Sequence, residues 1–202
     1  MRTLTELNTL IVGWAAERQI LKNSTPFAQA KKTAEEVMEL IQADKWYHIA
    51  LLEESKRLAK LDVVTGEPDD GEDVQFALED IKDAIGDIYV TLVVGLGCCP
   101  DCGVLSDSNA MLSVSTSKWK SEANMVRHLV AELLPHLYHY ANTHESGGWV
   151  YPACVTEIMG QLACIALSYD LRLEECVEAA YEQIKDRKGY LREDGVFVKE
   201  TT

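Results

Sequence analysis

The stretch DVQFALEDIKDAIGDIYVTLVV, Asp73 to Val94, decides the fold. Ile81, Ile85, Ile88 and Leu92 recur at steps of three and four, the period of one helical face. The same period continues on both sides. Upstream, Thr3 and Glu6 fit a capping box ahead of Leu7, Leu10, Ile11 and Trp14, with Gly13 a mild penalty inside that helix. In KNSTPFAQA, 22–30, the chain restarts, with Thr25 as N-cap and Pro26 as first helical residue. Phe27, Ala30, Ala34, Val37, Met38 and Ile41 then keep a helical spacing, and a separate helix is expected from about Asp44 to Lys60. The polar loop DVVTGEPDDGED follows.

Downstream, the stretch from Gly95 to Thr116 shows little periodicity, and so long a loop reads as functional or as an insertion. Further helices are expected over about Ser117–Ala141, kinked at Pro135, then Ala153–Tyr169 and Leu173–Lys188. The end, GYLREDGVFVKE, places an Asp194-Gly195 turn between two short extended pieces. Strands are otherwise nearly absent. The expectation is an all-α helical bundle with a hairpin-like tail, one domain over 1–202 with an insertion at about 98–152.

The 202 residues are 47% hydrophobic and 26% charged, ordinary for a globular protein with a real core. Lys and Arg number 19 against 33 Asp and Glu, for a formal charge of -14. That balance disfavours nucleic acid and anionic membrane as partners, since both need a basic face. No apolar run is long enough to span a bilayer, and MRTLTELNTL has no signal-peptide pattern. The six cysteines, three clustered at Cys98, Cys99 and Cys102, read as reduced thiols of a cytoplasmic protein.

Two helices carry carboxylates at helical spacing: Glu35, Glu36 and Glu39 on one, and Asp80, Asp83 and Asp87 on the other. Packed side by side, such helices can aim several oxygens at one point, the donor set that hard cations such as Mg²⁺ prefer. In a chain this acidic, the same spacing also describes a solvated face. Both clusters adjoin the apolar stripe, at Val37-Met38 and at Ala84-Ile85, which places them near a packed interface.

TPFAQAKKTAEEVMEL, IKDAIGDIYVTLV and EAAYEQIKDRKGYLREDGVFVKE together resemble the MazG-like all-α nucleoside triphosphate pyrophosphohydrolases, in particular small phage-encoded members. The family's Glu-x-x-Glu falls on Glu36 and Glu39, with Glu35 as the preceding acid. Its Glu-x-x-Asp falls on the Asp87 helix with a departure: Ala84 stands three residues before Asp87, and the nearest acid is Asp83. The resemblance implies the all-α pyrophosphatase type of bundle. It implies metal-dependent hydrolysis of a nucleoside or deoxynucleoside triphosphate to monophosphate and pyrophosphate, with Mg²⁺ as cofactor and Mn²⁺ as substitute. Glu36, Glu39, Asp83 and Asp87 would be metal ligands. Glu35 and Glu36 are the residues for catalysis, Glu35 as ligand or general base. Lys185 and Lys188, three apart near the last helix end, would contact the triphosphate, and the family usually dimerises. The competing expectation is an inactive helical binding protein of the same type, with Ala84 as the lesion.

Lys32, one turn before Glu36, is either a third phosphate contact or a surface partner of Glu36. Trp14 falls where the family has an aromatic near the nucleobase, but also fits a core position. Gln29 reads as a contact to a base edge or as a solvated amide. CCPDCG holds one CxxC; His136 and His139 would complete a zinc site only at an unusual spacing, so zinc, a redox pair and free thiols stay open. No P-loop, dinucleotide fingerprint, nucleophile elbow or HExxH occurs.

Overall fold

The computed structural model describes residues 1–61, 72–99, 152–193, 195 and 197–200. Their order is α1 (Leu4–Glu17), α2 (Ile20–Asn23), α3 (Pro26–Leu61), α4 (Glu72–Gly97), α5 (Pro152–Ser168), α6 (Leu173–Ile184), β1 (Gly189–Leu191) and β2 (Phe197–Lys199). The fold is all-α, with one two-stranded antiparallel sheet in which Tyr190 faces Val198. The helix expected over Ser117–Ala141, its Pro135, His136 and His139, Cys102 and most of the insertion lie outside the described residues.

The expected caps form. Thr3 Oγ1 accepts from Glu6 N–H while the Glu6 carboxylate accepts from Thr3 N–H at 2.7 Å. At the start of α3, Thr25 Oγ1 accepts from Ala28 N–H at 3.1 Å. Three boundaries differ from expectation. The two helices expected between Pro26 and Lys60 are one helix of 36 residues. No Gly or Pro interrupts Ile41-Gln42-Ala43-Asp44, and Ala43 and Asp44 are buried, so nothing stops propagation there. A four-residue helix, α2, lies between α1 and α3, set off by Gln19 at φ 58°. The last helix ends at Ile184 rather than Lys188, where Arg187 N–H bonds to Ile184 C=O in a tighter turn.

α4 is the axis of the molecule. Ile81, Ala84, Ile85, Ile88, Tyr89, Val90, Leu92, Val93 and Val94 are all buried, so from Ala84 onward this helix is buried on nearly every side, while Gln75, Phe76, Glu79 and Asp80 in its first half are exposed. α3 runs antiparallel along it, tied by the hydrogen bond between the Thr33 and Thr91 hydroxyls at 2.9 Å. α5 joins α3 through Tyr169, whose hydroxyl donates to the buried Asp44 carboxylate at 2.6 Å. α6 crosses α4 at Gly86, where an added Cβ would lie 2.4 Å from Cys176 C=O and 2.7 Å from Ala180 Cβ. The tail hairpin docks through Gly195, at φ +78° and packed on Asn23 and Ser24, so a side chain there meets both strain and backbone.

Gly86→Ala is therefore expected to lower stability in urea unfolding by about 3 kcal/mol, because α4 and α6 must separate. Gly13→Ala, where an added Cβ touches nothing, is expected to raise it by about 1 kcal/mol.

Candidate functional site

α3 and α4 form the walls of a cleft with a cavity volume of about 100 Å³, open to solvent. Gln29, Lys32 and Glu36 recur at helical spacing on the α3 wall, and Asp87, Val90, Thr91 and Val94 do so on the α4 wall. Trp14, Ile20, Ile184, Arg187 and Phe197 close it from α1, α2, α6 and the tail. The cleft lining thus combines charged side chains with apolar and aromatic ones.

Within that lining, Glu36 is 5% exposed, and Lys32 Nζ holds it at 2.7 Å while also reaching Glu35 at 3.0 Å. Burial raises the Glu36 carboxyl above its ordinary range; Lys32 opposes this and Glu39 adds to it. Burial works against the Lys32 charge, but Glu36 and Glu35 outweigh it and raise the ammonium above its usual value. Asp83 accepts from Gln183 Nε2 at 2.7 Å. Burial raises Asp83 against that bond, with Glu36 and Asp80 adding and Arg187 opposing. Asp87, which has no hydrogen-bonded partner among the described residues, is raised to about 7 by burial, then by Asp83, Glu36 and Glu39, with Arg187 opposing. Five carboxylates, Glu36, Glu39, Asp80, Asp83 and Asp87, therefore act on one another.

Of the expected site residues, Glu36, Asp87, Lys32, Trp14 and Gln29 line the cleft. Asp83 and Glu39 are joined to them electrostatically, and Glu39 is itself exposed. Glu35 is exposed and turned to Lys32. Lys185 and Lys188 are exposed and do not line the cleft; Lys185 pairs with Glu182. The cation from this segment that lines the cleft is Arg187, whose guanidinium holds no hydrogen bond or ion pair among the described residues. Lys185 and Lys188 share a face only if the helix continues, and it stops at Ile184. Ala84, three residues before Asp87, is buried in the core.

Two further residues had no signal in the sequence. Gln183 is a neutral amide on an exposed turn. Arg18 donates from Nε to Arg187 C=O at 3.1 Å and from Nη2 to Lys185 C=O at 2.8 Å, with its guanidinium 5.0 Å from the Trp14 ring centre. It satisfies carbonyls at the end of α6 and holds them beside the aromatic wall. Trp14 meets Phe197 edge to face at 5.8 Å, and its buried indole N–H has no partner among the described residues.

The donor chemistry suits a hard divalent cation, since every acidic group here is a carboxylate oxygen donor. Among the described residues, however, no three acidic, His or Cys side chains converge into a ready-made cage. Lys32 occupies Glu36, and Gln183 occupies one oxygen of Asp83. Protein-family models, curated proteins and solved structures show no match to this chain.

The Asp87 shift carries a stability consequence. Its folded value, about 7, lies above the unfolded one, so the folded state binds the extra proton and stability falls as pH rises from about 4 to 7. Asp87→Asn is expected to be more stable than the parent at pH 8 by on the order of 1–2 kcal/mol, less than the full shift because solvent screens the cleft. The gain should shrink at pH 4, and urea midpoints at the two pH values measure it.

Proposed function

We propose that the protein hydrolyses a nucleoside or deoxynucleoside triphosphate to monophosphate and pyrophosphate with the help of Mg²⁺, Mn²⁺ substituting. The observation that carries this reading is the mixed lining of the cleft. The carboxylates Glu36 and Asp87 and the cations Lys32 and Arg187 line it together with the paired rings of Trp14 and Phe197. A triphosphate chain with an aromatic base needs both kinds of chemistry, charge for the phosphates and apolar surface for the base. The bundle is read as the all-α pyrophosphatase type, on the motif residues in α3, α4 and the tail.

Glu36, Glu39, Asp83 and Asp87 are the residues that would hold the metal. A divalent cation in such a site neutralises charge on phosphate oxygens and acidifies a water. The protein's own contributions follow from position. Arg187, whose guanidinium has no partner among the described residues, can hold phosphate oxygens through two parallel N–H bonds. Of the two residues assigned to catalysis, Glu36 stands in the cleft, where it can orient a water, and Glu35 stands outside on Lys32. The apolar lining excludes water from one face of a base, and Gln29, whose amide N–H donates to Ser24 Oγ at 2.9 Å, offers its carbonyl to a base edge. We extend the proposal to a homodimer, in line with the large apolar side chains Trp46, Leu52 and Phe76 that α3 and α4 leave exposed.

The competing reading, an inactive nucleotide- or protein-binding relative, is favoured by the absence of a formed cage among the described residues. A product assay separates the two. With a panel of NTPs and dNTPs and Mg²⁺, the enzyme is expected to release monophosphate and pyrophosphate, and nothing in EDTA. Glu36→Gln should cost at least about a thousandfold in kcat, and Arg187→Ala about a hundredfold in kcat/KM. Diphosphate and phosphate as products, or no turnover of any nucleotide, would overturn the hydrolase reading.

A further inference from the structure

The position of Lys32 carries the argument one step further, on the basis of the proposed metal-dependent reading. Its ammonium sits 2.7 Å from Glu36, a carboxylate that is otherwise almost completely buried, and its own side chain is 37% exposed at the cleft wall. A buried carboxylate needs a counter-charge, and here an amine on the same helix, one turn earlier, supplies it. A Lys ammonium is a compact point charge on a flexible stem, able to swing between partners without moving the backbone. Two positive charges held on one buried carboxylate repel each other and compete for its oxygens. A divalent cation arriving at Glu36 therefore favours release of Lys32, whose stem already lines the cleft.

We propose that Lys32 is a resident counter-cation of Glu36 that a divalent metal ion displaces, and that the displaced ammonium is handed to the phosphates of the nucleotide. Metal and phosphate then bind with positive coupling, because each removes a competitor of the other. The same pair explains how the acidic cluster keeps its shape in the absence of metal. It also gives the site a reason to bind metal weakly until a phosphate chain is present to receive the lysine.

The test is calorimetric and needs no turnover. Mn²⁺ alone is titrated into the full-length protein and into Lys32→Met, which keeps the aliphatic stem, with Lys32→Gln as a second variant and circular dichroism as the folding check. Lys31→Met is the charge control, since Lys31 is exposed over the Phe27 ring and outside the cleft. Pyrophosphate is then titrated into each Mn²⁺-saturated protein. Removing Lys32 is expected to tighten Mn²⁺ about tenfold and to weaken pyrophosphate about tenfold, opposite signs that a general loss of positive charge or of fold does not produce. Lys31→Met should change neither. Mn²⁺ affinity that is unchanged or weaker in Lys32→Met overturns the inference while leaving the metal-dependent reading in place. So does an equal effect in Lys31→Met. Unchanged pyrophosphate affinity, or no pyrophosphate binding by any of the proteins, overturns the hand-over. Failure of the parent protein to bind Mn²⁺ overturns both the inference and the reading it rests on.

Discussion

The packed part of a helix buried on nearly every side has few places for charge, and α4 carries Asp83 and Asp87 there all the same. The rest of the site follows from that constraint. Gly86 lets α6 come against α4 without a side chain between them, and this approach brings Gln183 onto Asp83 and sets Arg187 beside Asp87. Half-burial then raises both carboxyls, Asp87 to about 7, because water cannot solvate the charged form from the protein side. The cluster is an electrostatic cost built into the axis of the fold. It is sustained by the apolar burial around it, from Ile81 to Val94, and by the polar ties Thr33–Thr91 and Asp44–Tyr169 that hold α3 and α5 in place.

The cations answer this cost unequally. Lys32 is committed to Glu36, Gln183 offers a neutral donor to Asp83, and Asp87 receives only the field of Arg187. Arg187 itself is placed by its backbone rather than by its charge. Arg18 grips the carbonyls of Lys185 and Arg187 and lies over Trp14, so one guanidinium orders the end of α6 and the aromatic wall together. The free side chain is thus carried on a fixed base. Such an arrangement keeps a recognising group oriented while leaving its hydrogen bonds unspent.

How much of this was legible in the sequence depends on the range over which each signal acts. Helix periods and caps are local, so Thr3, Glu6, Thr25, Pro26 and the stripe of α4 could be read directly. A boundary without a breaker is not encoded locally, which is why Pro26–Leu61 reads as two helices and folds as one. Glu36, Asp87, Lys32, Trp14 and Gln29 were visible because their helical phase puts them on one wall or beside it. Arg187 was masked by phase: its neighbours Lys185 and Lys188 align only on a helix that has already ended. Arg18 and Gln183 act across more than 90 residues of chain, through backbone carbonyls and a single carboxylate, and no spacing rule in one segment announces such a contact.

The acid nearest to Asp87 stands at position 83 rather than 84 for a packing reason. On α4, position 83 lies about 40° to one side of Asp87 and position 84 about 60° to the other, since each residue turns the helix by about 100°. The side of position 84 is the apolar core, where Ala84 is buried among aliphatic neighbours. A glutamate there would carry its charge into a region without donors, at a cost of several kcal/mol or of its ionisation. Position 83 instead faces α6, where Gln183 donates to the carboxylate and solvent reaches its open side. In a bundle where α6 packs this closely on α4, an acid one turn before Asp87 is tolerated at 83 and not at 84. The shifted acid and the tight Gly86 crossing are consequences of the same packing, and neither requires that the site be damaged.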